Sequence, residues 1–223
     1  MDDKYCYPGT NILINKLGTR NPQTLLDAEI EYTSKQLYAL QEHPIKGNFD
    51  FKHLCKIHQC IFGDLYDWAG KPRTVDIGKN GSSFCYAQFI QSSADDIFKS
   101  YYKDCYAVKD DKNKFIHALA KHYGDLNVLH PFREGNGRAQ REFARELCEH
   151  CGYEFDLTQT THQQMLNASV ASYYGNNSKL EAIFQQVITP INDTHSRRVQ
   201  QALQILSQDD ISSAKTDDYE YGG

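Results

Sequence analysis

Apolar residues recur at helical spacing over most of this chain. Residues 21–40 place Leu25, Leu26, Ile30, Leu37 and Leu40 along one side, with Asn21 set as N-cap and Pro22 at the first helical position, which predicts an amphipathic helix. A second helix is predicted from Asp50 through Leu54, Ile57, Ile61 and Leu65, ending in "DWAGKPR", where Gly70 and Pro72 break the pattern. From Arg73 to Cys85 the period falls to two at Val75 and Ile77 around a glycine-bearing turn, so a short hairpin is predicted, isolated in a helical chain. Helical periodicity returns over 87–106 and over 113–129, where Phe115, Leu119, Leu126 and Leu129 share one side. Further helices are predicted from near Gly137 to about Gly152, over 160–173 and over 177–188.

The fold class is therefore mainly α, with one main domain over residues 1–190 that includes an N-terminal extension. Residues 191–223 read as a C-terminal helix followed by a polar, acidic tail or linker with little to bury, expected to be disordered.

Bulk properties narrow the function classes. A net charge of −5 and a pI near 6.0 lack the basic surplus of a general nucleic-acid or anionic-membrane binder, so neither partner is expected. The sequence has no run near the roughly 20 apolar residues of a membrane span, and "MDDKYCYPGT" lacks the basic and apolar regions of a signal peptide. Seven cysteines, an odd number in a chain of this size, suggest free thiols in a reducing compartment, hence the cytoplasm. Cys148 and Cys151 in "CEHC", and the Cys and His residues of "HLCKIHQC" at 53–60, lack a second pair at usual zinc spacing, and are read as buried cysteines and surface histidines. Trp68 is read as a core anchor beside the hairpin.

One stretch carries chemistry. Residues 130–143, "HPFREGNGRAQREF", crowd a histidine, two acids, a Gly-Asn-Gly triplet and three arginines between two apolar helices. Gly135, Asn136 and Gly137 fall where a loop becomes a helix, so unpartnered N–H groups point along the positive end of the dipole, an arrangement that binds phosphate. The glycines admit close approach of an anion, and the Asn136 side chain offers a further donor. Arg138 and Arg141 are three apart on the first helical turn and so share a face, which suggests more than one phosphate. Glu134 beside phosphate calls for an intervening cation, and Mg²⁺ bound by one carboxylate plus phosphates is the usual nucleotide arrangement. His130 is placed to accept a proton from an attacking hydroxyl. Together these groups describe phosphoryl or nucleotidyl transfer, and with no Walker loop the nucleotide must be held another way.

"HPFREGNGRAQR" also satisfies every fixed position of HxFx[DE]GNGRxxR, so the sequence resembles the Fic family. "DWAGKPRTVDIGK" resembles the segment leading into that family's flap, and "YPGTNILINKLG" looks like the entry seen in bacterial Fic toxins and type IV secretion effectors. The resemblance implies a Fic-type helical bundle with a short β-hairpin flap, and AMP transfer from ATP to a Tyr, Ser or Thr hydroxyl of a target protein with release of pyrophosphate. It makes His130 the general base and Glu134 the ligand of Mg²⁺ bridging the α- and β-phosphates. Gly135, Asn136 and Gly137 become the anion hole, Arg138 and Arg141 the contacts to the distal phosphates, and Phe132 the aromatic that packs the loop. Lys79 and Asn80 of the flap are candidates to touch nucleotide, and Gln163 and Asn167 to touch adenine.

Relatives that transfer a phosphate instead carry lysine at the position of Gly137, which argues against that variant. Transfer of UMP or phosphocholine, or a partner-binding role without chemistry, stays open. The flap edge over 73–85 is expected to hold an extended target segment by strand addition. Many family members carry an inhibitory [ST]xxxE[GN] helix whose glutamate pairs with the second motif arginine, Arg141 here. Only "TDDYEY", from Thr216 to Tyr221, approaches this pattern, and it lacks the final Gly or Asn. A separate small antitoxin supplying that glutamate is therefore expected, or an uninhibited effector acting in the bacterial cytoplasm or a host cytosol.

Overall fold

The computed structural model describes residues 4–79 and 82–191. Asn80, nearly all of the expected C-terminal helix and tail, and the near-match at Thr216 to Tyr221 lie outside the described residues. Seven α-helices order the described chain: α1 Pro22–Glu42, α2 Phe51–Phe62, α3 Ile90–Ala107, α4 Lys112–Leu129, α5 Asn136–His150, α6 His162–Tyr173 and α7 Ser178–Val187. Short polar residues start several of them. Asn21 accepts from the N–H groups of Gln23 and Thr24, Asp50 from His53, and Asp111 from Asn113 and Lys114, while Thr161 and Gln164 form a reciprocal capping box.

The core lies where α2, α4 and α5 meet. Leu54, Ile57, Ile61 and Phe62 of α2, Phe115, Leu119 and Leu126 of α4, and Ala139, Phe143 and Leu147 of α5 are all buried. Each large apolar side chain removed from water contributes about 1.5–3 kcal/mol, so the loop joining α4 to α5 is slung between two well-anchored helices.

Three expectations are corrected. Leu26 and Ile30 do not join the core but stand 51% and 56% exposed, because α1 turns Leu25, Thr33 and Leu40 inward, with Ala28, Tyr32 and Leu37 partly buried beside them, and leaves the face of Leu26 and Ile30 in water. The hairpin pairs over only Gly78–Lys79 (β1) and Ser82–Ser83 (β2), extended by the Phe84 N–H donating to the Ile77 carbonyl at 3.3 Å; its expected first residue, Arg73, is instead drawn into the interior. A second antiparallel pair, Tyr153–Phe155 (β3) with Ile188–Pro190 (β4), escapes periodicity because three residues are too few to show it. Helix α7 accordingly ends at Val187, and β4 begins at Ile188.

Candidate active site

Helix α4 stops at Leu129 because the next residue precedes Pro131, whose ring disfavours the right-handed helical region there. His130 takes the left-handed conformation instead, with φ 44° and ψ 61°, at an intrinsic cost of about 1–2 kcal/mol for a residue with a Cβ. That strain is offset by Arg73. Its Nε donates to the His130 carbonyl at 2.9 Å and its Nη1 to the Val75 carbonyl at 2.7 Å, while its Nη2 reaches the Cys85 carbonyl. The Arg73 N–H donates to the Pro131 carbonyl at 2.8 Å. A guanidinium only 1% exposed thus ties both arms of the hairpin base to the His130 turn. The His130 imidazole lies 3.2 Å, through Nδ1, from the Asn127 carbonyl, so Nδ1 carries the hydrogen and Nε2 is the nitrogen that can accept one.

Beyond Pro131 the loop is closed on itself. Asn136 accepts from the Phe132 N–H and donates to the Phe132 carbonyl, both at 2.8 Å, so its side chain shapes the loop and spends one of its two amide hydrogens there. Phe132 is buried and stacks on His58 with ring centroids 3.8 Å apart. His58 in turn accepts the Gly70 N–H on Nδ1 and donates from Nε2 to the Glu134 carbonyl, each at 2.9 Å. Burial, with a smaller push from Arg138, lowers its pKa to about 4, so the ring bridges the two segments as a neutral group. His53 is likewise buried, held 2.8 Å from Glu146. Both histidines were expected at the surface; they lie on the apolar side of α2, where Leu54, Ile57 and Ile61 turn inward.

Gly135 begins α5 with φ 81° and no side-chain cap. A Cβ at Gly135 would overlap the Phe62 ring, so this position needs glycine for both its dihedral and its clearance. The Gly135 N–H donates at 2.9 Å to the carboxylate of Glu134, whose side chain is otherwise exposed. The acid thus already sits at the amide end of the helix.

The two motif arginines differ. Arg138 lies with its guanidinium 4.6 Å from the Phe62 ring centroid, its Nη2 2.5 Å from Glu29 and 3.9 Å from Glu134, and its Nη1 3.4 Å from the Thr33 hydroxyl. Arg141 is half-buried, and among the described residues no carboxylate lies within 4.0 Å of it. Its Nη1 would be 3.1 Å from a Cβ at Gly137.

The other candidates stand apart. Lys79 lies in β1. Gln163 and Asn167 are exposed on α6 and bond to each other at 2.9 Å, with no hydrogen bond to the motif; α6 meets the hairpin instead through Tyr173, whose hydroxyl donates to the Ser83 carbonyl at 3.0 Å. Trp68 is partly buried and stacks on Tyr66 at 4.5 Å. Glu142 is buried against Arg145 at 2.7 Å, a pair that braces α5. All seven cysteines are free, and burial raises the thiol pKa of Cys55 and Cys151 to about 11.

Sequence reading missed Arg73, His58, Glu29 and Phe84. A signal existed for Glu29, a carboxylate spaced at i+4 between Leu25 and Thr33 on the buried stripe of α1. Phe84 stacks flat on His130, and nothing in a short polar hairpin marks such a contact beforehand.

The model of the Fic/DOC family matches residues 48–148. Protein adenylyltransferase VbhT of Bartonella schoenbuchensis is 36% identical over 212 residues, covering 94% of this chain and 44% of VbhT, so the chain spans less than half of that relative. The Salmonella typhimurium protein named "Probable protein adenylyltransferase Fic" is 34% identical over 192 residues, 86% of this chain and 95% of its own length. Among solved structures, the BepC effector of Bartonella tribocorum with bound AMPPNP superimposes with a TM-score of 0.78 at 26% identity, over 83% of this chain and 96% of that one. A Bartonella quintana effector Fic domain with bound ADP gives 0.76 at 26% identity, over 83% and 94%.

Proposed function

Because the chain belongs to the Fic/DOC family, we propose that it is a protein adenylyltransferase that moves AMP from ATP to a hydroxyl of a target protein. The observation that carries this reading is the joining of His130 to the open amide end of α5 by one short, internally bonded loop, with both motif arginines on the first turns of that helix. The His130 imidazole accepts the proton of the target hydroxyl as its oxygen bonds to the α-phosphorus; the bond from that phosphorus to the bridging oxygen breaks, and pyrophosphate leaves with Arg138 and Arg141 at its charges. With the Gly135 N–H donated to Glu134, the N–H groups of Asn136 and Gly137 at the start of α5 are the ones offered to the phosphate oxygens on which charge accumulates.

Mg²⁺ fits the donor set. Glu134 offers one exposed carboxylate, and among the described residues no cluster of three His, Cys, Asp or Glu side chains forms a metal cage, which accords with a cation shared between one acid and substrate phosphates. When bound it neutralises phosphate charge. Gly137 supports transfer of AMP over transfer of phosphate: a lysine there would crowd Arg141. In this reading the flap over 73–85 takes the target segment, Lys79 and Asn80 are its candidates to contact nucleotide, and Gln163 and Asn167 of α6 are the candidates to contact adenine. Arg141 is the group that a separate antitoxin glutamate would restrain. The place of action is the bacterial cytoplasm or a host cytosol; no helix among the described residues is long and apolar enough to cross a membrane.

The test is incubation of bacterial and eukaryotic lysates with α-labelled ATP and Mg²⁺. Label enters a protein band with the wild-type chain and is lost, by about 10²–10⁴-fold in rate, with H130A, the range for removal of a general base. Release of free phosphate with no labelled protein would overturn the reading in favour of ATP hydrolysis.

A further inference from the structure

We propose that Glu29 is a positioning residue for the triphosphate: it anchors one edge of the Arg138 guanidinium so that the remaining N–H groups are presented to the distal phosphates. This rests on the reading that Arg138 contacts those phosphates. Three contacts fix the guanidinium. Its face lies against Phe62 at 4.6 Å, which sets the plane; Glu29 takes Nη2 at 2.5 Å, which sets the rotation within that plane; and the Thr33 hydroxyl lies 3.4 Å from Nη1. Glu29 is itself held, since the Tyr66 hydroxyl donates to its other oxygen at 2.6 Å. Tyr66 is fully buried and Thr33 nearly so, and both belong to elements packed against the core, so the anchor is rigid.

Anchoring leaves donors to spare. A guanidinium has five N–H groups; Glu29 and Thr33 together use two, and three remain. The alternative is that Glu29 competes with phosphate and must leave when ATP binds. The Glu29 and Arg138 side chains are only 15% and 23% exposed, so breaking the pair would leave a largely buried carboxylate held by the Tyr66 hydroxyl, an unfavourable exchange. Glu29 therefore stays when phosphate arrives. The two motif arginines then do different work. Arg138, partly neutralised and fixed in direction, supplies geometry, whereas Arg141, with no carboxylate beside it among the described residues, supplies charge.

The experiment compares nucleotide binding to the whole chain by titration calorimetry, with Mg²⁺, for E29A, E29Q and R138A. E29A is expected to weaken ATP about tenfold and leave AMP, which lacks the distal phosphates, unchanged; E29Q, whose amide oxygen can still accept from Nη2, falls between. Steady-state labelling should show the loss in KM for ATP more than in kcat. In an R138A background E29A should cause no further loss of ATP affinity, as a double-mutant cycle requires if Glu29 acts through Arg138. Tighter ATP binding by E29A would identify a competitor and overturn the proposal, and equal loss of ATP and AMP would reduce Glu29 to a structural role. If R138A alone leaves ATP affinity unchanged, the assignment of Arg138 to phosphate fails first, and the proposal with it. Should truncation disturb the fold, the near-isosteric E29Q carries the same comparison.

Discussion

Phe84 lies flat on the imidazole of His130, ring centroids 3.8 Å apart and planes within 12°. The hairpin thus reaches the proposed base directly and limits the orientations its ring can adopt. A stacked aromatic pair contributes about 0.5–1.5 kcal/mol beyond burial, so F84A should lower kcat by roughly 2- to 10-fold with little change in ATP affinity, while F84Y keeps the ring face and most of the rate. An unaltered kcat in F84A, measured by initial labelling rates, would show that the stack has no part in turnover.

Gly135 and Gly152 both hold positive φ, at 81° and 87°, but only Gly135 faces an obstacle. Alanine at Gly152 meets open space and should cost only the backbone strain, about 1–2 kcal/mol. Alanine at Gly135 adds overlap with Phe62, so G135A should lose about 3 kcal/mol or more and weaken nucleotide binding as well. Urea unfolding of the two variants side by side measures the difference, and equal losses would contradict it.

Arg73 is a buried cation whose side chain donates to three backbone carbonyls, those of His130, Val75 and Cys85. R73M leaves these acceptors without a donor at a site closed to water and should destabilise the fold by about 3 kcal/mol or more. R73K keeps the charge but lacks the planar fork, so it should recover part of the stability and less of the kcat. Full recovery of both by lysine would mean that charge, and not the three-way geometry, is what matters.

His58 accepts the Gly70 N–H in its neutral form, and burial lowers its pKa to about 4 from an ordinary 6.5. Between these values the unfolded chain binds the proton and the folded one does not. Its contribution is therefore fully present above about pH 6.5 and declines as the pH falls toward 4, by about 3 kcal/mol across the interval at ~1.4 kcal/mol per unit. H58Q should flatten the slope of stability against pH in this window, as read from denaturation midpoints between pH 4 and 7; an unchanged slope would assign the acid sensitivity elsewhere.

The helices were legible because their signals are long and redundant. Leu54, Ile57 and Ile61 repeat a spacing over several turns, and Asn21, Asp50 and Asp111 sit where a cap is needed. The stretch from His130 to Arg141 was legible because its chemistry is compressed into consecutive residues. Arg73, His58 and Glu29 were not, for a common physical reason: each acts on the motif from a distant segment, and the sequence does not record which of its polar residues will be carried inward. Asn136 shows the converse. Its place in the motif was evident, but the direction of its side chain depends on the closed bonds to Phe132, which only the folded loop reveals.

The grip of Arg73 also reaches the hairpin. Val75 and Cys85 are fastened to the same guanidinium that holds the His130 turn, so the hairpin base and the loop that carries His130 are tied at one point. Phe84 adjoins the fastened Cys85, so the guanidinium that holds the His130 turn also keeps the Phe84 ring within stacking distance of the imidazole: the histidine and the aromatic ring that covers it share one anchor.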